Sequence, residues 1–260
     1  MAIGLPPDQT APDQTVLAVG THDPQRRVPE ADRLRDGERI PPDEFRRRCG
    51  VLEAAGVDFR VEYVNGVVRM MPPPNFAGHT HPIRVMQGLL SAYTRRTPGV
   101  IDYTESGVTL PVEETSADVS PDLCLVVQPG RGGQMSVDDA GYFVGPPELV
   151  VEVANSSLSY DLGEKRDLYE AAGVQEYLVH ATRERRLLMM RRDGDRFRTV
   201  MPDADGVLAS RIFPGLVFDT AAIIADDIAA AEATLDRVMQ SPEVAAAHQN
   251  LVASLAEAAK

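Results

Sequence analysis

Two short apolar runs, Leu123–Val127 and Leu149–Ala154, constrain this chain most, because one of them carries an acid in its middle. Runs that are apolar almost throughout and bounded by turn-forming residues suit strands covered on both faces, which implies a sheet packed by helices. Glu152 interrupts the second run, flanked by Val150, Val151 and Val153. A carboxylate in such a strand is costly unless it is paired, hydrogen-bonded or bound to a metal. The alternative is an edge strand that turns Glu152 to water. Pro121-Asp122 stands immediately before the first run. Two carboxylates at the ends of adjacent strands are the ordinary makings of a Mg²⁺ or Mn²⁺ site, where the ion keeps several waters and takes few protein ligands.

The charged residues add a third group. Of 26 cationic side chains, all are arginine except Lys165 and Lys260. Lys165 lies in Asp161-Leu162-Gly163-Glu164-Lys165-Arg166, with arginine as its neighbour. Arginine is a planar fork, whereas lysine is a compact point charge that can approach and orient a water. The spacing of Asp161 and Glu164 is that of a capping box with Asp161 as N-cap, so a helix is expected from about Leu162 to Ala172. Lys165 would share one face of it with Asp161 and Tyr169. An ammonium near a metal-bound water could orient it, or stabilise charge on a phosphate under attack. The competing reading is a surface ion pair between Lys165 and Asp161.

Around these residues the pattern divides the chain in three. Residues 1–40 hold five prolines and no periodic apolar pattern, and are expected to be largely disordered. Residues 41–220 read as an α/β (α+β) domain. It opens with a short helix after Pro41, stopped by Gly56. A hairpin, Phe59–Tyr63 and Val67–Met71, turns at Asn65-Gly66 and is ended by Pro72-Pro73-Pro74. A helix over about Pro82–Arg95 follows, then strands at Gly107–Val112 and the two apolar runs, separated by a Gly-rich loop from Pro129 to Pro147. Further strands are expected at Glu176–His180, Arg186–Met190 and Phe197–Val200, with a hairpin turn at Gly194. Residues 221–260 form an alanine-rich tail that Ser241-Pro242 breaks into two helices. Its alanines would permit close packing, either on its own domain or between two copies in a homodimer.

The net charge of −13 includes −2 from residues 1–40 and −4 from residues 221–260, leaving −7 on residues 41–220. Polyanion binding draws on neutralising cations, so this counts against non-specific nucleic-acid binding. One basic concentration is Arg183, Arg185, Arg186, Arg191, Arg192, Arg196 and Arg198, interleaved with Glu184, Asp193 and Asp195. No apolar run reaches the roughly 18 residues of a membrane helix. The start lacks the basic and apolar stretches of a secretory signal. Cys49 and Cys124 lie far apart and suit free thiols. A cytoplasmic location with no membrane partner is expected.

Weaker constellations remain. His79-Thr80-His81 has a spacing that two metal-ligating histidines could use, but no third ligand follows, and capping or packing is the plainer reading. Ser156-Ser157 lacks a nucleophile-elbow context, and Gly130-Arg131-Gly132-Gly133 lacks the Lys-Ser/Thr of a phosphate loop.

Taken together, Pro121-Asp122, Glu152-Val153, Asn155-Ser156-Ser157, Asp161, Lys165, Tyr169 and Gly173-Val174-Gln175-Glu176-Tyr177 resemble the Uma family. These are restriction endonuclease-like proteins of the PD-(D/E)XK nuclease superfamily. The resemblance extends from Glu62-Tyr63-Val64-Asn65-Gly66-Val67-Val68-Arg69-Met70 to Phe213-Pro214-Gly215-Leu216, about residues 41–220. It implies a restriction endonuclease-like fold, with a mixed central sheet flanked by helices, and metal-dependent cleavage of DNA. Asp122, Glu152 and Lys165 would be catalytic, and Asp122, Glu152 and the Val153 carbonyl would hold Mg²⁺ or Mn²⁺. Glu62, His79, His81, Asp161 and Tyr169 are secondary candidates. The superfamily's usual lysine position, two residues after the Glu, is Ala154 here, so Lys165 must reach the site from the following helix. His180, where an acid is common, is a smaller departure. The rival expectation is a catalytically inactive nuclease fold that serves as a binding or assembly module.

Overall fold

A computed structural model describes residues 23–57, 59–71, 76–112, 115–139 and 141–259. The expectations for residues 1–22, Pro72-Pro73-Pro74 and Lys260 fall outside the described residues.

The two apolar runs are the strands β6 (Leu123–Val127) and β9 (Leu149–Ala154), and they pair antiparallel at the centre of a six-stranded mixed sheet. On the far side of β9 lies β10 (Glu176–Ala181), parallel to it, followed by β11 (Arg186–Asp193) and β12 (Arg196–Val200) as antiparallel neighbours. β3 (Val100–Thr104) closes the opposite edge against β6. Because β9 has a partner on each side, Glu152 is an interior residue, and the edge-strand reading is overturned. Every residue of β6, β9 and β10 is buried, as continuous apolar runs require.

Alternation along β9 sends Leu149 and Val151 to one face and Val150, Glu152 and Ala154 to the other. The first face packs on α2 (His81–Thr94), on the small sheet of β13 (Val207–Ala209) and β14 (Val217–Asp219), and on the C-terminal helices. The second face packs on the segment that crosses from β9 to β10 and on a second six-stranded sheet. That sheet contains β1 (Val61–Val64), β2 (Val67–Met70), β4 (Val108–Val112), β5 (Thr115–Val119) and the short β7 (Ser136–Val137) and β8 (Phe143–Val144). The last two lie in the segment expected to be a loop. The hairpin turn at Asn65-Gly66 has both residues at positive φ, 53° and 77°, the twist that a two-residue hairpin demands.

Three further expectations are corrected. Residues 23–40, expected to be disordered, run along helix α1 (Pro42–Ala54), where Val28 and Leu34 are buried with Phe45, Leu52 and Tyr63. The tail holds three helices, α5 (Thr220–Ile224), α6 (Ile228–Met239) and α7 (Pro242–Glu257), the first capped by the Asp219 side chain. Ala231 and Leu235 of α6 and Leu255 of α7 enter the main core, so the tail packs on its own domain. Asp161, lastly, is not an N-cap. The segment from β9 to β10 is one helical run: α3 (Leu158–Tyr160), a π-helical turn Asp161–Lys165, then α4 (Arg166–Ala172).

Candidate active site

The register that pairs Leu123 with Val151 stands Asp122 opposite Glu152 one step further along. Both side chains therefore share the second face of the sheet. The Val153 amide donates to Asp122 Oδ2 at 2.7 Å, which ties the two strand ends together at this point.

Over this face lies the π-helical turn. Its wider winding turns both Asp161 and Lys165 inward, and both are buried. Lys165 Nζ sits 2.7 Å from Glu152 Oε1 and 3.0 Å from Glu62 Oε1, with its side chain 4% exposed. The surface ion pair between Lys165 and Asp161 is thereby excluded. Asp161 instead accepts from Ser157 Oγ at 2.6 Å, and its carbonyl accepts from the Tyr177 hydroxyl at 2.9 Å. Tyr169, one turn beyond Lys165, donates to Glu152 Oε1 at 2.8 Å. Glu62, from β1, also accepts from the Ser120 amide at 3.0 Å and from the Tyr160 hydroxyl at 3.1 Å.

His79 arrives from another π-helical turn, Phe76–Thr80, which leads into α2. Its Nε2 lies 3.2 Å from Asp122 Oδ1 and its Nδ1 lies 2.9 Å from the Val153 carbonyl. His81 points elsewhere, toward Asp226 at 3.8 Å, so the two histidines do not share a ligand position. His180 is on the opposite face of the sheet from Glu152, since it alternates with Val179 and Ala181.

The structure thus gathers Asp122, Glu152, Lys165, Glu62, His79, Asp161 and Tyr169, and leaves out His81. Tyr160 and Ser120 escape the sequence reading, because ordinary tyrosines and serines carry no periodicity or spacing that marks them, and Ser157, noted there only as part of a motif, gains a role as the donor to Asp161.

The electrostatics follow from crowding. Burial alone would lower the Lys165 ammonium, but Glu152, Glu62, Asp161 and Asp122 around it hold it well above its usual value. Burial pushes Glu152 well up, against the pull of Lys165, and Asp122, Asp161 and Glu62 add to the rise. Burial likewise raises Asp161. Asp122 moves the other way: burial would raise it, but the His79 hydrogen bond, the charges of His79 and Lys165 and the Val153 amide hold it below the usual range. His79 is raised, first by its bond to Asp122. Four acids thus face one ammonium and one imidazole, and the crowding of like charge adds to the rise of Glu152 and Asp161.

These groups open on a cleft of about 1100 Å³, lined also by Phe45, Arg46, Phe59, Arg60, Tyr142 and Asn155. Arg46 and Arg60, on its wall, are paired with Asp118 and Glu105. In the arginine-rich hairpin of β11 and β12, Arg191 pairs with buried Glu176, and Arg196 with buried Glu170. Arg192 donates to the Glu170 carbonyl.

The model of a family named Uma2 and described as "Putative restriction endonuclease" matches residues 42–221. The chain belongs to the Uma2 family. Its fold is similar to a crystal structure described as "a putative nuclease belonging to DUF820" from Anabaena variabilis. The TM-score is 0.55 at 13% identity, over 72% of this chain and 98% of that one. No curated protein matches. The expected mixed α+β, restriction endonuclease-like architecture is therefore borne out, and membership supports a nuclease-like function.

Proposed function

We propose that this Uma2 protein is a divalent-metal-dependent phosphodiesterase that cleaves DNA. One observation carries the reading: the single internal lysine is buried against Glu152, the acid of the apolar strand, beside Asp122 and at the end of a cleft. Asp122, Glu152 and the Val153 carbonyl would hold Mg²⁺ or Mn²⁺. The donor set fits a hard cation: two carboxylates at facing register positions, a nearby backbone carbonyl, and surplus negative charge. Among the described residues no three His, Cys, Asp or Glu side chains form a ready cage, but Mg²⁺ is commonly held by one or two carboxylates with its own waters. When bound, the ion supplies Lewis-acid polarisation of a phosphoryl oxygen and a water acidic enough to attack at neutral pH.

Lys165 brings a fixed positive charge to the phosphate under attack, and Glu62 and Tyr160 keep its ammonium from drifting. Tyr169 orients the Glu152 carboxylate. DNA is proposed as substrate from the family, with a cytoplasmic setting and a homodimer as the assembly.

A second reading, an inactive nuclease fold that serves as a binding module, is favoured by the charge. The cleft wall carries Glu53, Glu105, Asp118 and Asp138 against Arg46 and Arg60, an unwelcoming surface for a polyanion. Titrating Mn²⁺ into wild type and Glu152→Gln separates the two. Binding to wild type that is lost in Glu152→Gln, together with Mn²⁺-dependent nicking of plasmid DNA, supports the enzyme. Equal binding by both proteins, or none by either, removes the metal centre.

A further inference from the structure

The cleft that leads to Asp122, Glu152 and Lys165 is built unlike a seat for a double helix. Duplex DNA is held through its phosphate backbones, which draw on free cations along the surface that meets them. Both arginines that line this cleft are already engaged, Arg46 with Asp118 at 3.3 Å and Arg60 with Glu105 at 3.1 Å. One rim does carry exposed arginines. Arg183 donates from Nε to Oδ1 of cleft-lining Asn155 at 2.9 Å, and Arg185 and Arg186 follow it directly. None of the three forms an ion pair among the described residues, so this rim suits a single backbone.

The catalytic groups also lie deep, with Asp122, Glu152 and Lys165 all buried at the base of the cleft. A phosphate must be carried inward to meet them. A duplex is stiff on this scale and costly to bend, whereas an unstacked strand can fold into a cleft of about 1100 Å³.

In place of cations the cleft offers ring faces. Tyr142 lines it and is still 54% exposed, with no ring contact among the described residues. Its backbone is fixed at both ends: its amide donates to Asp138 Oδ1 at 2.8 Å, and its carbonyl accepts from the Asp138 amide at 2.9 Å. Half-buried Phe59 lines the same cleft. An exposed ring on a fixed backbone is a platform for an unpaired base, whose stacking depends on its π-face and not on phosphate charge.

We infer that the cleft takes single-stranded in preference to duplex DNA, with a base stacked on Tyr142 and the backbone along the Arg183 rim. This rests on the proposed phosphodiesterase and narrows its substrate. It also answers the objection from net charge, since stacking supplies affinity where free cations are scarce.

The test is fluorescence anisotropy of one labelled oligonucleotide, single-stranded or annealed into a blunt duplex. It is titrated in EDTA with wild type, Tyr142→Ala and Tyr142→Phe. The single strand should bind wild type about tenfold tighter than the duplex does. Tyr142→Ala should weaken single-strand binding about tenfold, as for the loss of one base stack, and Tyr142→Phe should keep it. Equal or tighter binding of the duplex, or no binding of either form, overturns the inference. So does a preference unchanged in Tyr142→Ala, or a Tyr142→Phe protein as weak as Tyr142→Ala, which would assign the effect to the hydroxyl. In MnCl₂, supercoiled plasmid, whose strands open locally, should be nicked faster than the relaxed closed form, and equal rates refute the preference. The parent reading is judged separately, by Mn²⁺ titration of wild type and Glu152→Gln. Metal binding that Glu152→Gln loses, beside a preference for duplex, overturns the substrate class alone. No metal binding by either protein overturns the phosphodiesterase and this inference with it.

Discussion

Replacing Lys165 with methionine removes the one ammonium from among four buried acids while nearly keeping its volume. In the wild type, Glu152 and Glu62 lie 2.7 and 3.0 Å from that charge, and both are almost wholly buried. Breaking a buried pair by deleting one partner costs about 3–5 kcal/mol, because the remaining charge is stranded. Against a typical total of about 5–15 kcal/mol this is a large loss. The loss has a pH signature. Without the ammonium, at least one further carboxylate takes a proton in the folded protein, so its folded pKa lies above its unfolded one. Such a group contributes stability that is present below the unfolded pKa and is lost as pH rises through the folded one. One extra bound proton gives a slope of about 1.4 kcal/mol per pH unit. The gap between Lys165→Met and wild type should therefore widen by about 2.8 kcal/mol between pH 5.5 and 7.5. Urea denaturation at the two pH values measures it, and adding Glu152→Gln to the variant should return part of the loss at pH 7.5. A loss below about 1 kcal/mol, or one that is the same at both pH values, would refute the argument that these acids depend on Lys165.

Other outcomes follow from the same geometry. Lys165→Arg keeps the charge but forces a wider, forked group between the Tyr160 and Tyr169 rings, so it should cost about 1–3 kcal/mol by overpacking and lower any metal-dependent cleavage on the order of a hundredfold. Thermal melting and a nicking assay read the two effects separately. Mg²⁺ or Mn²⁺ at about a hundred times its Kd should add about 2.7 kcal/mol of stability in wild type and little in Glu152→Gln, which melting curves in metal and in EDTA will show. Gly78→Ala should destabilise by about 1–3 kcal/mol, since its methyl meets the Asn155 side chain, and thermal melting reads the loss. In the arginine-rich hairpin, Arg185 and Arg186 are exposed, whereas Arg191 and Arg196 hold buried acids. Neutralising Arg185 and Arg186 should weaken DNA binding and flatten its salt slope by about 1 per lost phosphate contact. An unchanged slope leaves the hairpin the task of holding Glu170 and Glu176.

Much of the site's membership is legible in the sequence. A carboxylate set among valines is expensive enough to announce itself, and a lone lysine in an arginine-rich chain stands out by composition. Both signals are local, and so are the apolar runs, the Asn-Gly turn and the proline that starts α7. Those features were sufficient for β6, β9, the first hairpin and the mixed architecture. Strands β3 and β5 were not legible, because they are short and carry Asp102 and Asp118, a residue type depleted in strands. Asp102 is tolerated there because it accepts from Ser91 and Thr94 of α2, and Asp118 because it accepts from Thr109 and faces Arg46. Residues 23–40 read as disordered because their burial depends on two scattered side chains, Val28 and Leu34, finding α1.

The partners of Lys165 depended wholly on the tertiary structure. Spacing along one helix offered Asp161, four residues away, but the π-helical turn carries the ammonium inward to acids from β1 and β9, 103 and 13 residues earlier in the chain. Local sequence encodes what a residue costs to bury. Which group meets that cost depends on chain segments far apart in sequence, brought together only when the two sheets and the crossing helix pack.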